Sequence, residues 1–277
     1  MSLRFTKMHG IGNDFVVLDR RDTRSPLPAQ LARRLADRHF GVGCDQVMTV
    51  ERSDDASCAF RYGIWNADGS AAAQCGNGVR CVLRWLADRG LVQGRDIRLL
   101  GPSGPVVADL LEDGGIRVDM GEPQFDAARV PLSVAATASR YALQLSGESV
   151  VFGAVSMGNP HALIEVADVD AAPVAALGSR IEVHPLFPDR VNVGFAQVLD
   201  RGHIRLRVFE RGVGETLACG SGACAAVAVL QQWQRVDAEV RVDLPGGTLQ
   251  ISWSGPGHPL WMTGPATSVF DGVWNDE

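Results

Sequence analysis

The chain has 277 residues, 46% of them hydrophobic and 21% charged, with a formal net charge of −6. That hydrophobic share supplies a full core and excludes a disordered chain, while the acidic balance argues against nucleic acid as a partner. The length suits one large domain or two of ordinary size.

The opening MSLRFTKMHG is strand-like and contains Lys7, the only lysine. It lacks the apolar stretch of a secretory signal. The longest apolar run, around Ala223 to Leu230, is too short to span a bilayer. A cytoplasmic location, no membrane association and reduced thiols are therefore expected. DFVVLD and QVMTV read as strands, and PAQLARRLADRH between them as an amphipathic helix with Pro28 near its start. In AAQCGNGVRC, Cys75 stands directly before a Gly-Asn-Gly turn at a helix start. Behind it Val79, Val82, Leu83 and Leu86 form a helical stripe that ends at Gly90. IRVDM is a further strand, and the stretch GEPQFDAARVPLSVAATASR after it has mixed composition and little periodicity. VVFGAV and EVRVDL read as strands. HIRLRVFE alternates Ile204, Leu206 and Val208 with Arg205 and Arg207, as a half-buried antiparallel strand does. Cys219 opens a second helix, apolar nearly all round from Ala223 to Leu230 and hence expected to be buried.

The chain repeats itself. CGNGVRC at Cys75 returns as CGSGAC at Cys219, and Trp65-Asn66-Ala67-Asp68 lies opposite Phe209-Glu210-Arg211-Gly212, both 144 residues on. GNDFVVLD at Gly12 is echoed by GNPHALIE at Gly158, and Gln46 falls opposite Asn192, both 146 residues on. Four matches in one order at nearly one offset indicate a tandem duplication. The predicted fold class is α+β: two pseudo-symmetric domains, each a mainly antiparallel, barrel-like sheet around a central helix. The joint is expected between Met120 and about Ser146, with domains over 1–119 and 120–264.

The duplication bears on chemistry. A helix N-terminus offers unpaired N–H groups and a partial positive charge. These lower the pKa of a cysteine there, by less than about one unit, leaving a thiol poised a little above neutrality. The same amides can hold a carboxylate. Two such sites facing each other across a cleft could remove a proton from one face of a carbon and return one to the other. That is a two-base racemase or epimerase. Pyridoxal phosphate would need a lysine, and Lys7 lies in a strand without phosphate-site features, so cofactor-independent chemistry is expected. No CxxC pair and no metal spacing among the histidines occur, so no metal site is expected. Cys44, Cys58, Cys81 and Cys224 read as small buried hydrophobes. A thiol redox sensor and a non-catalytic amino-acid-binding protein remain alternatives at this stage.

The blocks MHGIGNDFVVLD, GVGCDQV, NADGSAAAQCGNGVRC, MGNPH, RVNVGFAQ and ERGVGETLACGSGACA together resemble the diaminopimelate epimerase family over almost the whole chain. The resemblance implies interconversion of LL- and meso-2,6-diaminopimelate, on the route to lysine and peptidoglycan, with no cofactor. It implies Cys75 and Cys219 as the acid–base pair, and Gly76, Asn77, Gly220 and Ser221 as the holders of the reacting carboxylate. Asn13, Gln46, Asn66, Asn159, Asn192, Glu210 and Arg211 match residues that bind the substrate, chiefly its distal end. His161 matches a histidine that tunes a thiol, and Glu210 shares that place. The resemblance also implies a C-terminal segment, 265–277, that returns to the first domain, and a homodimer. A proline or hydroxyproline racemase of the same structural group is the nearest rival; Arg211 and the asparagines favour a substrate with a second charged end.

Overall fold

The computed structural model describes residues 2–23, 25–145 and 147–275. Ser146, the far limit expected for the joint, and the last two residues of the expected C-terminal segment lie outside the described residues. The first part of the chain forms β1 (Ser2–Gly10), β2 (Asn13–Asp19), α1 (Ala29–Ala36), β3 (Gln46–Glu51) and β4 (Phe60–Asn66). It continues through α2 (Gly76–Asp88), β5 (Ile97–Gly101), β6 (Gly104–Leu110) and β7 (Ile116–Asp119). The second part forms β8 (Tyr141–Leu145), β9 (Glu148–Ser156), β10 (Pro160–Glu165), α3 (Val174–Glu182), β11 (Asn192–Asp200) and β12 (His203–Glu210). There follow β13 (Gly214–Thr216), α4 (Gly220–Gln232), β14 (Glu239–Leu244), β15 (Gly247–Trp253), β16 (Leu260–Gly264) and β17 (Thr267–Asn275). Contacts divide the chain into two compact units, Met1–Asp119 with Thr263–Glu277, and Met120–Met262.

In the first unit β1 and β2 form an antiparallel hairpin. Its two-residue turn, Ile11 and Gly12, has positive φ at both positions, as the right-handed twist of a tight hairpin requires. β2 then pairs in parallel with β3 and β4 in parallel with β5, while β3–β4 and β5–β6–β7 are antiparallel. A parallel pair needs a crossover, and α1 and α2 supply the two.

The second unit repeats this plan. β10–β11 and β12–β14 are its parallel pairs, crossed by α3 and α4. Even the registers repeat. Phe15 pairs with Gln46 and His161 with Asn192; Phe60 pairs with Leu99 and Ile204 with Val242; Leu99 pairs with Val106 and Val242 with Leu249. The duplication read from short motifs thus extends to strand pairing. One strand differs in origin: β8 covers β9 from the neighbouring stretch of chain, whereas the place beside β1 is taken by β17 from the C-terminus.

The stripe Val79, Val82, Leu83 and Leu86 on α2 is fully buried, as are Ala223 to Leu230 on α4. Gly90 follows α2 with φ 65°, a left-handed conformation that glycine adopts without a Cβ penalty. One expectation needs correction. The first helix does not run to His39 but stops at Ala36, because the Asp37 carboxylate accepts the N–H groups of His39 and Phe40 and folds the chain into a turn. In the aperiodic stretch after Met120, Ala127, Val130 and Leu132 pack with Phe152, Ile181 and Phe195 in the core of the second unit.

Candidate active site

In the first unit Cys75 is the N-cap of α2, in extended conformation, and its Sγ accepts the Gly78 N–H at 3.4 Å. A Cβ on Gly78 would lie 2.9 Å from Met48 Cε, so a larger residue here would have to push the Met48 side chain aside. Cys75 is half-buried, beside buried Gly76 and Asn77. Its thiol donates to Asn13 Oδ1 at 3.8 Å, and Asn77 Nδ2 donates to the same oxygen at 3.2 Å. Asn13 Nδ2 in turn donates to Asp45 at 2.8 Å. On the neighbouring strands Gln46 Nε2 donates to Asn66 Oδ1 at 2.9 Å, and Asn66 Nδ2 to Ser70 Oγ at 3.0 Å.

In the second unit Cys219 stands in extended conformation at the N-cap position of α4. Ser221 Oγ lies 3.7 Å from its sulfur, and Asn159 Nδ2 donates to Ser221 Oγ at 3.4 Å. His161 Nε2 lies 3.0 Å from Asn159 Oδ1 and 3.1 Å from Ser221 Oγ. Burial first, and then the charge of Arg211, pull the imidazole pKa down to about 3; the ring is neutral through the physiological range. Glu210 accepts the Thr216 hydroxyl at 2.5 Å. Asn192 uses both ends of its amide within the protein, donating to Pro160 O at 3.0 Å and accepting the Arg211 N–H at 2.9 Å. The exposed Arg211 side chain donates through Nη1 to Asp189 O at 2.9 Å.

The expectation of a thiol poised near neutrality does not hold for Cys219. It is 4% exposed, and burial, followed by the nearby Glu210 charge, pushes its pKa well above the ordinary thiol value. The Gly222 N–H and the Ser221 hydroxyl act in the opposite direction without outweighing the burial. The thiolate loses its hydration on entering a dry site, and one helix start cannot offset that loss. The other four cysteines are buried, as expected. Burial pushes Cys44 and Cys81 up to about 12, which makes them inert as acids.

Each unit brings a subset of the expected residues together. Asn13, Cys75 and Asn77 meet in the first, with Gln46 and Asn66 joined on adjacent strands. Asn159, His161, Cys219 and Ser221 meet in the second, where Asn192 holds the loop of Arg211. Motif reading passed over Asp45, although it stands inside GVGCDQV. Its counterpart by the repeat is Val191, so the duplication drew no attention to it.

Two β-rich units of one plan, each with a cysteine at the start of its internal helix, define a duplicated α+β fold shared with solved structures. A hydroxyproline epimerase from Agrobacterium vitis superposes with a TM-score of 0.70 at 18% identity, covering 98% of this chain and 92% of that one. A phenazine biosynthesis protein of the PhzF family from Bacillus anthracis superposes with a TM-score of 0.70 at 15% identity over the full length of both. Within that fold the chain belongs to the diaminopimelate epimerase family, whose model matches residues 5–126 and 153–269. It is 58% identical over 274 residues to the diaminopimelate epimerase of Xanthomonas axonopodis pv. citri, covering 99% of this chain and 96% of that protein. To that of Aromatoleum aromaticum it is 55% identical over 272 residues, 98% of each.

Proposed function

We propose that this protein interconverts LL- and meso-2,6-diaminopimelate without pyridoxal phosphate, using Cys75 and Cys219 as a two-base pair. The observation that carries the reading is the duplicated cysteine at a helix start, each with an asparagine and a polar helix-start residue beside it. One sulfur, as thiolate, takes the α-proton. The other, as thiol, gives a proton to the opposite face of the same carbon, and configuration inverts. In the reverse direction the roles exchange.

The α-proton is weakly acidic, so charge developing on the carboxylate needs stabilisation. The first N–H groups of α2 and α4, at Gly76, Asn77, Gly220 and Ser221, are the donors suited to it. Glu210 can accept from an ammonium group, and Arg211 can pair with a second carboxylate. The neutral His161 donates or accepts at Ser221 and so acts on Cys219 through that hydroxyl. A homodimer belongs to the same reading, and sedimentation in solution tests it.

Incubation with LL-diaminopimelate in deuterium oxide should yield the meso isomer with deuterium at the α-carbon. A wild-type protein that neither exchanges nor inverts that centre would refute the assignment. Cys75→Ala and Cys219→Ala should each abolish inversion while Cys58→Ala retains it; near-wild-type turnover in either of the first two would exclude the two-base route.

A further inference from the structure

The asparagines beside the two thiols are related by the repeat, Asn13 and Asn159, and each is held by a different device. Asn159 is held by His161. The position of His161 is taken by Phe15 in the first unit, which has no polar group to offer. Its place is filled from the bend just before β3: Asn13 Nδ2 donates to Asp45 Oδ2, and the Asp14 N–H donates to the same carboxylate oxygen at 3.1 Å. Arg38 Nη2 donates to Asp45 Oδ1 at 2.7 Å and grips Asp14 with both terminal nitrogens, at 2.8 and 3.1 Å. Lys7 closes the network on Asp14 and the Gly43 carbonyl. An ionised carboxylate can only accept. Asp45 therefore requires the nitrogen of the Asn13 amide on its own side and sends the oxygen toward Cys75 and Asn77.

We propose that Asp45, fixed by Arg38, is a positioning residue for the Cys75 site: it sets the direction of the Asn13 amide and so presents an acceptor to the Cys75 thiol. The proposal deepens the epimerase reading and rests on its assignment of Cys75. An acceptor beside the sulfur favours the protonated thiol, and a turned amide would present N–H and favour the thiolate. The titratable groups facing Cys75 include the Tyr62 hydroxyl on β4 and Cys81 on α2, both kept neutral by burial. The charges of Lys7, Asp14 and Arg38 behind Asn13 are paired with one another.

The test is a double-mutant cycle of Asp45→Ala with Asn13→Ala, both judged folded by circular dichroism and Tm. Asp45 is exposed, so the fold should tolerate its removal. Asp45→Ala should lower kcat roughly tenfold, about the rate equivalent of one charge-assisted hydrogen bond. In the Asn13→Ala background it should cost markedly less. The rate of Cys75 alkylation by iodoacetamide near neutral pH, followed by peptide mass, should rise at least about twofold in Asp45→Ala and stay unchanged when Asn13 is already alanine. Equal losses of kcat in both backgrounds, or an alkylation rate indifferent to Asp45, would overturn the proposal. Alkylation needs no substrate, so its outcome is separate from the identity of the reaction.

Discussion

Cys75 and Cys219 occupy the same place in the repeat but different surroundings. Cys75 is half-buried, with Asn13 accepting from its thiol, whereas Cys219 is nearly closed off, with Ser221 and the Glu210 charge nearby. The difference arises because the symmetric backbone carries unlike side chains: Asn66 stands opposite Glu210, Asn77 opposite Ser221, Phe15 opposite His161. Glycine keeps the cysteine accessible to its helix. A Cβ on Gly222 would lie 3.1 Å from both Cys219 Sγ and Val208 Cγ2. Alanine favours a helix interior by about 1 kcal/mol over glycine, so Gly222→Ala should keep or raise Tm while kcat falls through a displaced sulfur. A variant with wild-type kcat would show that the sulfur position tolerates the methyl group. The residue types of the site were legible in the sequence because the repeat pairs them. Their bonds were not. That Asn192 spends both ends of its amide inside the protein, and that burial outweighs the helix start at Cys219, depends on neighbours distant in the chain.

At the scale of elements, each helix is fixed by the sheet it packs against. Gly153 on β9 marks the closest approach of α4, where a Cβ would fall 2.3 Å from Val229 Cγ1 and 2.9 Å from Trp233 Cζ2. Gly153→Ala should cost about 1–3 kcal/mol by overpacking, measured by urea unfolding, and Val229→Ala in the same chain should recover part of it. If the double variant is no more stable than Gly153→Ala alone, the contact is not the cause. β1, β2, β3, β7, β9, β12 and β14 were legible in their local sequence, α2 from its 3.6-residue stripe and α4 from its apolar run, whereas α3 and the remaining strands were not. The end of α1 was not, because the Asp37 carboxylate competes with the helix for its own backbone. Nor was the packing of Val130 and Leu132, which carry no periodic signal and become core only where α3 and β11 meet them.

At the scale of the whole molecule, the first unit is completed by the end of the chain. β17 pairs with β1 over almost its whole length; Asp271 accepts the Thr6 hydroxyl at 2.6 Å, and the Phe5 and Phe270 rings meet edge-on at 5.9 Å. Pro265 O accepts from Arg80, buried on α2, at 3.3 Å. Deleting residues 265–277 should therefore expose β1 and loosen α2, seen as faster amide exchange in both, while β8 and β9 keep their protection. Unchanged exchange in β1 would refute the dependence.

By itself the sequence determined the duplication, the two thiols at helix starts and the family, because motif spacing and periodicity are written locally and twice. Only the tertiary structure decided which amide faces which sulfur, how far each thiol is removed from water, and that Asp45 stands where the repeat has no polar counterpart. Hydrogen-bond direction and desolvation are set by groups that the fold brings together from distant segments of the chain, and no local pattern encodes them.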